Sequence, residues 1–148
     1  VILRTRPVPE AERWMTGPIE PEIALAQLSS AVTVFWDGRT TWVRLSGLDA
    51  DVSAQARTAG SLGLEPATAG PTRPSGGRWS LPPADLAALP QRHPRMRFLA
   101  EMGVGIAHAV APPPRRPVSP RVAGLHRRLK AEFDPDGRLS PGRDPLAA

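Results

Sequence analysis

"AVTVFWDGRTTWVRLSG" (residues 31–47) decides the fold class. Two runs rich in β-branched and aromatic residues flank Asp37-Gly38, and Asp-Gly between such runs is the strongest short-range hairpin signal. The stretch therefore predicts two antiparallel strands joined at Asp37. Immediately before it, "PIEPEIALAQLSS" (18–30) reads as a helix. Pro21 suits its first turn, Glu20 and Glu22 favour its positive end, and Ile23, Ala26 and Leu28 can supply an apolar side. Immediately after it, "LDADVSAQARTAG" (48–60) reads as a second helix. Asp49 or Asp51 is its N-cap, Val52, Ala56 and Ala59 face inward, and Gly60 ends it.

Further out, "VILRTRPVP" (1–9) predicts a strand closed by prolines, which cannot continue a sheet ladder. "ATAGPTRPSGG" (67–77) has neither periodicity nor enough backbone donors for regular structure, so it is a loop. "RWSLPP" (78–83) predicts a short strand, and "PADLAALP" (83–90) a two-turn helix. "MRFLAEMGVGIAHAV" (96–110) predicts one long strand or two, with Gly103 and Gly105 marking a bulge or a close backbone approach. "APPPRRPVSP" (111–120) is a stiff connector. "SPRVAGLHRRLKAEF" (119–133) is a helix capped by Ser119, with Pro120 at its first position and Val122, Leu125, Leu129 and Phe133 in one stripe. Hairpins mixed with crossover helices predict an α+β fold, a mainly antiparallel sheet with helices packed on one face, then a C-terminal helix and tail. There is no internal repeat.

The chain has 148 residues, one ordinary domain's worth, and 41% of them are hydrophobic, a globular value. No apolar run approaches the ~18 residues that span a bilayer, which predicts a protein that is soluble or held by a partner. Val1 is not an initiator and no secretory signal opens the chain, so a fragment is expected. Without cysteine, disulfides and thiolate chemistry are excluded, as fits the cytoplasm. The net charge of +5 invites a nucleic-acid reading. Yet of 19 basic residues only Lys130 is lysine, and Asn and Tyr are missing altogether, the bias of a GC-rich genome. "RHPRMR" (92–97) and "HRRLK" (126–130) lack the interleaved aromatics of a single-strand binder, so their charge is read as solvated or partner-facing, with no nucleic-acid partner.

Candidate chemistry is sparse. No third glycine opens a helix after Gly103 and Gly105, so they fail the context of a dinucleotide or P-loop motif. His93, His108 and His126 are too scattered for a local ligand set. His108 ends an apolar, glycine-kinked strand, where an imidazole is either a satisfied half-buried group or a catalytic or substrate-binding one. Arg78 and Arg44 lie at strand positions from which a rigid guanidinium could grip a carboxylate, and surface pairing is the better reading for Arg44. Trp14, Trp36, Trp42 and Trp79 read as core and interface anchors. Asp134 and Asp136 lack further ligands at calcium-loop spacing and read as turn-formers.

"RRLKAEFDPDGRLSPGR" (127–143) resembles the C-terminal signature of FAD-linked oxidases of the vanillyl-alcohol oxidase and cresol methylhydroxylase superfamily. The matching residues are Leu129, Lys130, Phe133, Asp134, Pro135, Gly137, Leu139, Pro141, Gly142 and Arg143, with Ser140 where the family usually has Asn. "RWSLPP" (78–83) and "EMGVGIAHA" (101–109) are similar to segments of the FAD-binding subunit of glycolate oxidase, and "VILRTRPVPEAERW" to the end of that family's flavin domain. The resemblance implies a ferredoxin-like cap domain over 17–111, with 1–16 ending a flavin domain and 112–148 forming connector, helix and tail. It implies FAD, held mainly by a domain that would precede Val1, and hydride transfer from a 2-hydroxy acid such as glycolate. Arg78 would bind the substrate carboxylate or a partner's charge, and His108 would be catalytic, a polar group near the flavin. Ser140, Pro141, Gly142 and Arg143 would return to the flavin domain as cofactor-side residues. The implied partners are that flavin domain and further oxidase subunits, an iron-sulfur subunit among them. Related metal-dependent dehydrogenases carry Glu-His-Gly-x-Gly where this chain has Glu101-Met102-Gly103-Val104-Gly105, so no metal is expected. The alternative is a non-catalytic cap that helps assemble oxidase subunits.

Overall fold

The computed structural model describes residues 8–113 and 118–138. Along the chain run β1 (Ala11–Gly17), α1 (Pro21–Gln27), β2 (Ala31–Trp36), β3 (Thr41–Gly47), α2 (Asp49–Ser61), β4 (Glu65–Ala67) and β5 (Gly77–Ser80). A 3-10 segment (Pro83–Ala88) leads into α3 (Leu89–Arg92), followed by β6 (Phe98–Glu101), β7 (Ile106–Ala109) and α4 (Pro120–Phe133). The chain divides into two compact units, Val1–Pro112 and Pro113–Ala148.

The first unit is α+β, built on one seven-stranded antiparallel sheet in the order β4-β1-β3-β2-β6-β7-β5. Its first six elements form a β-α-β-β-α-β unit with strand order β4-β1-β3-β2, the ferredoxin-like arrangement. The hairpin predicted at Asp37 joins β2 to β3. Its turn is fixed by the Asp37 carboxylate, whose Oδ1 accepts from the backbone N–H groups of Arg39 (2.9 Å) and Thr40 (2.8 Å). Beyond β2 the sheet is extended by the β6–β7 hairpin and closed by β5.

Successive side chains along a strand point to opposite faces, so the sheet has two surfaces of different character. One carries Met15, Val34, Trp36, Val43, Leu45, Trp79, Phe98, Ala100, Ala107 and Ala109, all in the core cluster. The helices pack against β1, β2 and β3 and add Ala24, Leu28, Val52 and Ala59 to the same cluster. Leu45, Val43 and Val52 are wholly buried, and each such side chain stabilises the fold by about 1.5–3 kcal/mol relative to exposure.

Several details differ from the sequence pattern. The strand predicted over 1–9 lies outside the described residues except for 8 and 9, which are irregular, while β1 runs over Ala11–Gly17, across the 16/17 boundary expected from the resemblance. In α1 the buried residues are Pro21 and Ala24, with Leu28 at the C-cap. Ile23 is exposed, so the inward stripe is turned from the one expected. α2 has no side-chain N-cap from either Asp49 or Asp51, and it ends past Gly60, at Ser61, with Gly63 in the left-handed region (φ 91°). The predicted 83–90 helix is a 3-10 segment passing into α3. Residues 96–110 form two strands, and Gly103 and Gly105 sit in the hairpin turn between them rather than in a bulge. Both have positive φ (79° and 80°), and a Cβ on Gly105 would collide with the Leu81 carbonyl oxygen, so the close approach is there.

The second unit contains α4 and the turn after it. Ser119 Oγ accepts from the Val122 N–H, the cap the sequence predicts. Asp134 is buried and organises the helix end. Its carboxylate accepts from Lys130 Nζ and from the Arg138 backbone N–H (2.6 Å), while its carbonyl accepts from the Gly137 N–H. Asp136 pairs with Arg138 at 3.5 Å. Both aspartates are therefore turn-formers.

Candidate functional site

The second face of the sheet carries Trp14 and Thr16 from β1, Trp42 and Arg44 from β3, Phe35 from β2, Leu99 and Glu101 from β6, His108 from β7 and Arg78 from β5. Their placement follows from the alternation and from the registers Trp14↔Arg44, Phe35↔Trp42, Phe35↔Glu101, Leu99↔His108 and Arg78↔His108. Polar and charged groups are tolerated here because α1 and α2 pack on the other side.

Arg78 and His108 are direct cross-strand partners, so their side chains stand next to one another on this face. The register that brings them together is set at the 102–105 turn. The turn at 102–105 fixes β6 against β7, and the Leu81 N–H donates to the Gly105 carbonyl at 2.8 Å, tying the end of β5 to the same turn. Arg44 behaves differently: its Nε lies 3.5 Å from Glu12 Oε2, an ion pair without the alignment of a hydrogen bond. Among the described residues Arg78 makes no ion pair, so in contrast to Arg44 its charge is uncommitted.

A second cation reaches this face from the loop between β4 and β5. The loop is seated on the aromatic side chains: a Cβ on Gly70 would be 2.5 Å from the Trp14 ring, and Arg73 Cζ stands 5.2 Å from the Phe35 ring centroid as a cation–π pair. Trp14 and Phe35 themselves stack, with centroids 6.3 Å apart and planes 11° from parallel. Arg73 thus has a defined position although it belongs to a proline-rich loop.

The half-buried His108 imidazole has its pKa held below the ordinary 6.5. Burial is the larger cause, the positive charges of Arg73 and Arg78 add to it, and the Glu101 carboxylate opposes. At neutral pH the ring is consequently neutral and keeps a lone pair able to accept a proton. Guanidiniums that could hold an anion beside a neutral base suit a substrate with a carboxylate next to an ionising hydroxyl.

Trp36 and Trp79 are buried, as core anchors should be, while Trp14 and Trp42 are half-buried on the second face. His93 packs edge-on against Trp79, with centroids 5.1 Å apart. Met102 is buried in the core cluster. Among the described residues no three of His, Asp or Glu gather as a metal-ion ligand set would. Ser140, Pro141, Gly142 and Arg143 lie outside the described residues. Sequence reasoning missed Arg73 as part of this face, and it named Glu101 only within a motif. Arg73 offered a faint signal, a lone cation inside Pro-Thr-Arg-Pro, where flanking prolines limit the loop's freedom. No helix among the described residues is long and apolar enough to cross a membrane. No family model, curated protein or solved structure matches the chain, so the likeness to FAD-linked oxidases rests on the motifs quoted above.

Proposed function

We propose that this chain is the cap region of an FAD-dependent oxidoreductase that oxidises a 2-hydroxy acid such as glycolate. The observation that carries the reading is the cross-strand pairing of Arg78 with His108 on the face opposite the one against which α1 and α2 pack. Arg78, with its charge uncommitted, binds the substrate carboxylate, and Arg73 adds a second positive charge nearby. His108, kept neutral, accepts the proton of the substrate hydroxyl as the α-carbon gives up a hydride. A flavin, when bound, supplies the acceptor for that hydride, and the product is a 2-oxo acid.

The described residues are compatible with the substrate side of such a site, offering two guanidiniums and a neutral imidazole, with Phe35 and Leu99 buried beside them. They include no glycine-rich loop suited to the cofactor's pyrophosphate, so FAD would be held mainly by a separate flavin domain. Ser140 to Arg143 would contribute the tail's share. Cytoplasmic placement, with further oxidase subunits as partners, belongs to the same reading.

The test is anaerobic bleaching of the flavin by glycolate in the full-length protein. The reading expects bleaching that slows on the acid side as His108 becomes protonated, and loss of that acid limb in His108→Gln. A flavin that no 2-hydroxy acid reduces, or a protein that carries none, rejects it.

A second reading has an observation of its own. In α4 the predicted stripe of Val122, Leu125, Leu129 and Phe133 is exposed, Phe133 by 74%. Such a stripe suits a helix that docks on another protein surface, as a non-catalytic assembly module would require.

A further inference from the structure

The basic stretch 92–97 has no part in the proposed chemistry, yet the fold does not leave it as diffuse surface charge. A cleft of about 550 Å³ opens between the β2–β3 turn, Pro71, Thr72 and Pro74 of the crossing loop and residues 93–99. It is lined by Arg39 from the turn and by Arg95 and Arg97 from the segment leading into β6. His93 and Trp42 lie on its walls, and Asp37 is its only carboxylate. Arg39 lies far in sequence from Arg95 and Arg97, and the β2–β6 pairing is what brings the hairpin turn next to the 93–97 segment.

Three guanidiniums against one carboxylate leave the cleft at +2 before His93 is counted. The Asp37 carboxylate is already occupied, since its Oδ1 takes the Arg39 and Thr40 backbone N–H groups. Among the described residues none of Arg39, Arg95 and Arg97 is in an ion pair, whereas Arg44, Arg92 and Arg138 each have a carboxylate. Like charges gathered without counter-charge repel, and a ligand that neutralises them is stabilised in proportion. A monocarboxylate would leave the cleft positive. The planar fork of arginine matches phosphate oxygens in pairs, and a cleft of this volume accepts a small molecule.

We propose that the cleft of Arg39, Arg95 and Arg97 is a binding site for a phosphate-bearing small molecule of at least two negative charges. The inference does not rest on the flavin reading. Trp42 and Leu99 border this cleft and also belong to the face of Arg78 and His108, but Arg39, Arg95 and Arg97 have no part in the hydroxy-acid reading.

The experiment is calorimetric titration of the chain with pyrophosphate at physiological salt, with tricarballylate as a carboxylate-only probe and heparin fragments of increasing length as macromolecular polyanions. The expected result is one saturable pyrophosphate site with Kd below about 1 mM. Arg95→Ala and Arg97→Ala each weaken it about tenfold or more, whereas Arg57→Ala, an exposed arginine on α2, changes nothing. All three positions are exposed, and an unchanged thermal melt confirms that each variant is folded. Four outcomes would overturn the proposal. They are no saturable binding, equal losses in all three variants, tricarballylate binding as tight as pyrophosphate, and heparin binding that tightens with length while pyrophosphate binds nothing.

Discussion

Arg78 and Trp79 are neighbours on β5, yet their side chains meet different surroundings. Trp79 points into the helix-covered core, 5% exposed, with Nε1 donating to the Ala111 carbonyl at 2.9 Å and its ring against His93. Arg78 points the other way, exposed, without an ion pair among the described residues, beside His108. A two-residue period thus sets two surroundings side by side: one face is packed and apolar, while the other mixes the buried Phe35 and Leu99 with charged groups. The same division runs across the sheet, with Val43 and Leu45 wholly buried and Arg44 between them on the far side.

That division can be broken most severely from the packed face. Trp79→Ala removes a large buried ring and leaves a cavity, and it is expected to cost about 3–5 kcal/mol in denaturant unfolding. A cost below about 1 kcal/mol would mean that this face is not the core. Next in size is Gly105→Ala, which combines a positive φ with a collision at the Leu81 carbonyl. It is expected to cost about 1–3 kcal/mol or more, and to disturb the Arg78–His108 register as well, so amide signals of β5 and β7 should both move. Asp37→Ala loses two side-chain bonds to turn N–H groups and should cost about 1 kcal/mol without shifting either face.

The smallest effect comes from the charged face. His108 has a folded-state pKa below the unfolded value of 6.5, so folding favours its neutral form. Its contribution is complete above the unfolded value and declines as pH falls from 6.5 through the lowered folded-state value. The melting temperature of wild type relative to His108→Gln should be flat above neutrality and fall on acidification. A difference that grows toward alkaline pH would reverse the assigned sign.

How much of this was legible in the sequence depends on the range of the interaction. The β2–β3 hairpin and the Ser119 cap are written in contiguous residues, and both stand where the pattern puts them. β1 is obscured because Glu12, Arg13 and Thr16 interrupt its apolar signal, while the proline-flanked 1–9 stretch looks more strand-like. β4 is three residues long and contains Pro66, too little for any periodicity. Arg78 and His108 can be singled out one by one, but their adjacency pairs residues thirty apart in sequence through a register set at the 102–105 turn. Arg73 reaches the face only through its seat on Phe35, and Arg39 joins Arg95 and Arg97 only once β2 pairs with β6. No local pattern encodes these meetings.

The central claim, that two faces of one strand carry separate duties, is tested most directly by pairing Arg78→Ala with Trp79→Phe in the full-length protein. For each variant, unfolding free energy and kcat/KM for glycolate would be measured on the same preparation. The account predicts that Arg78→Ala changes stability by no more than about 0.5 kcal/mol while kcat/KM falls about a hundredfold, because a charge-assisted carboxylate contact is lost. Trp79→Phe should lose stability and retain most of its activity once folded. Full turnover in Arg78→Ala, or a loss of stability there matching that of Trp79→Phe, would contradict it.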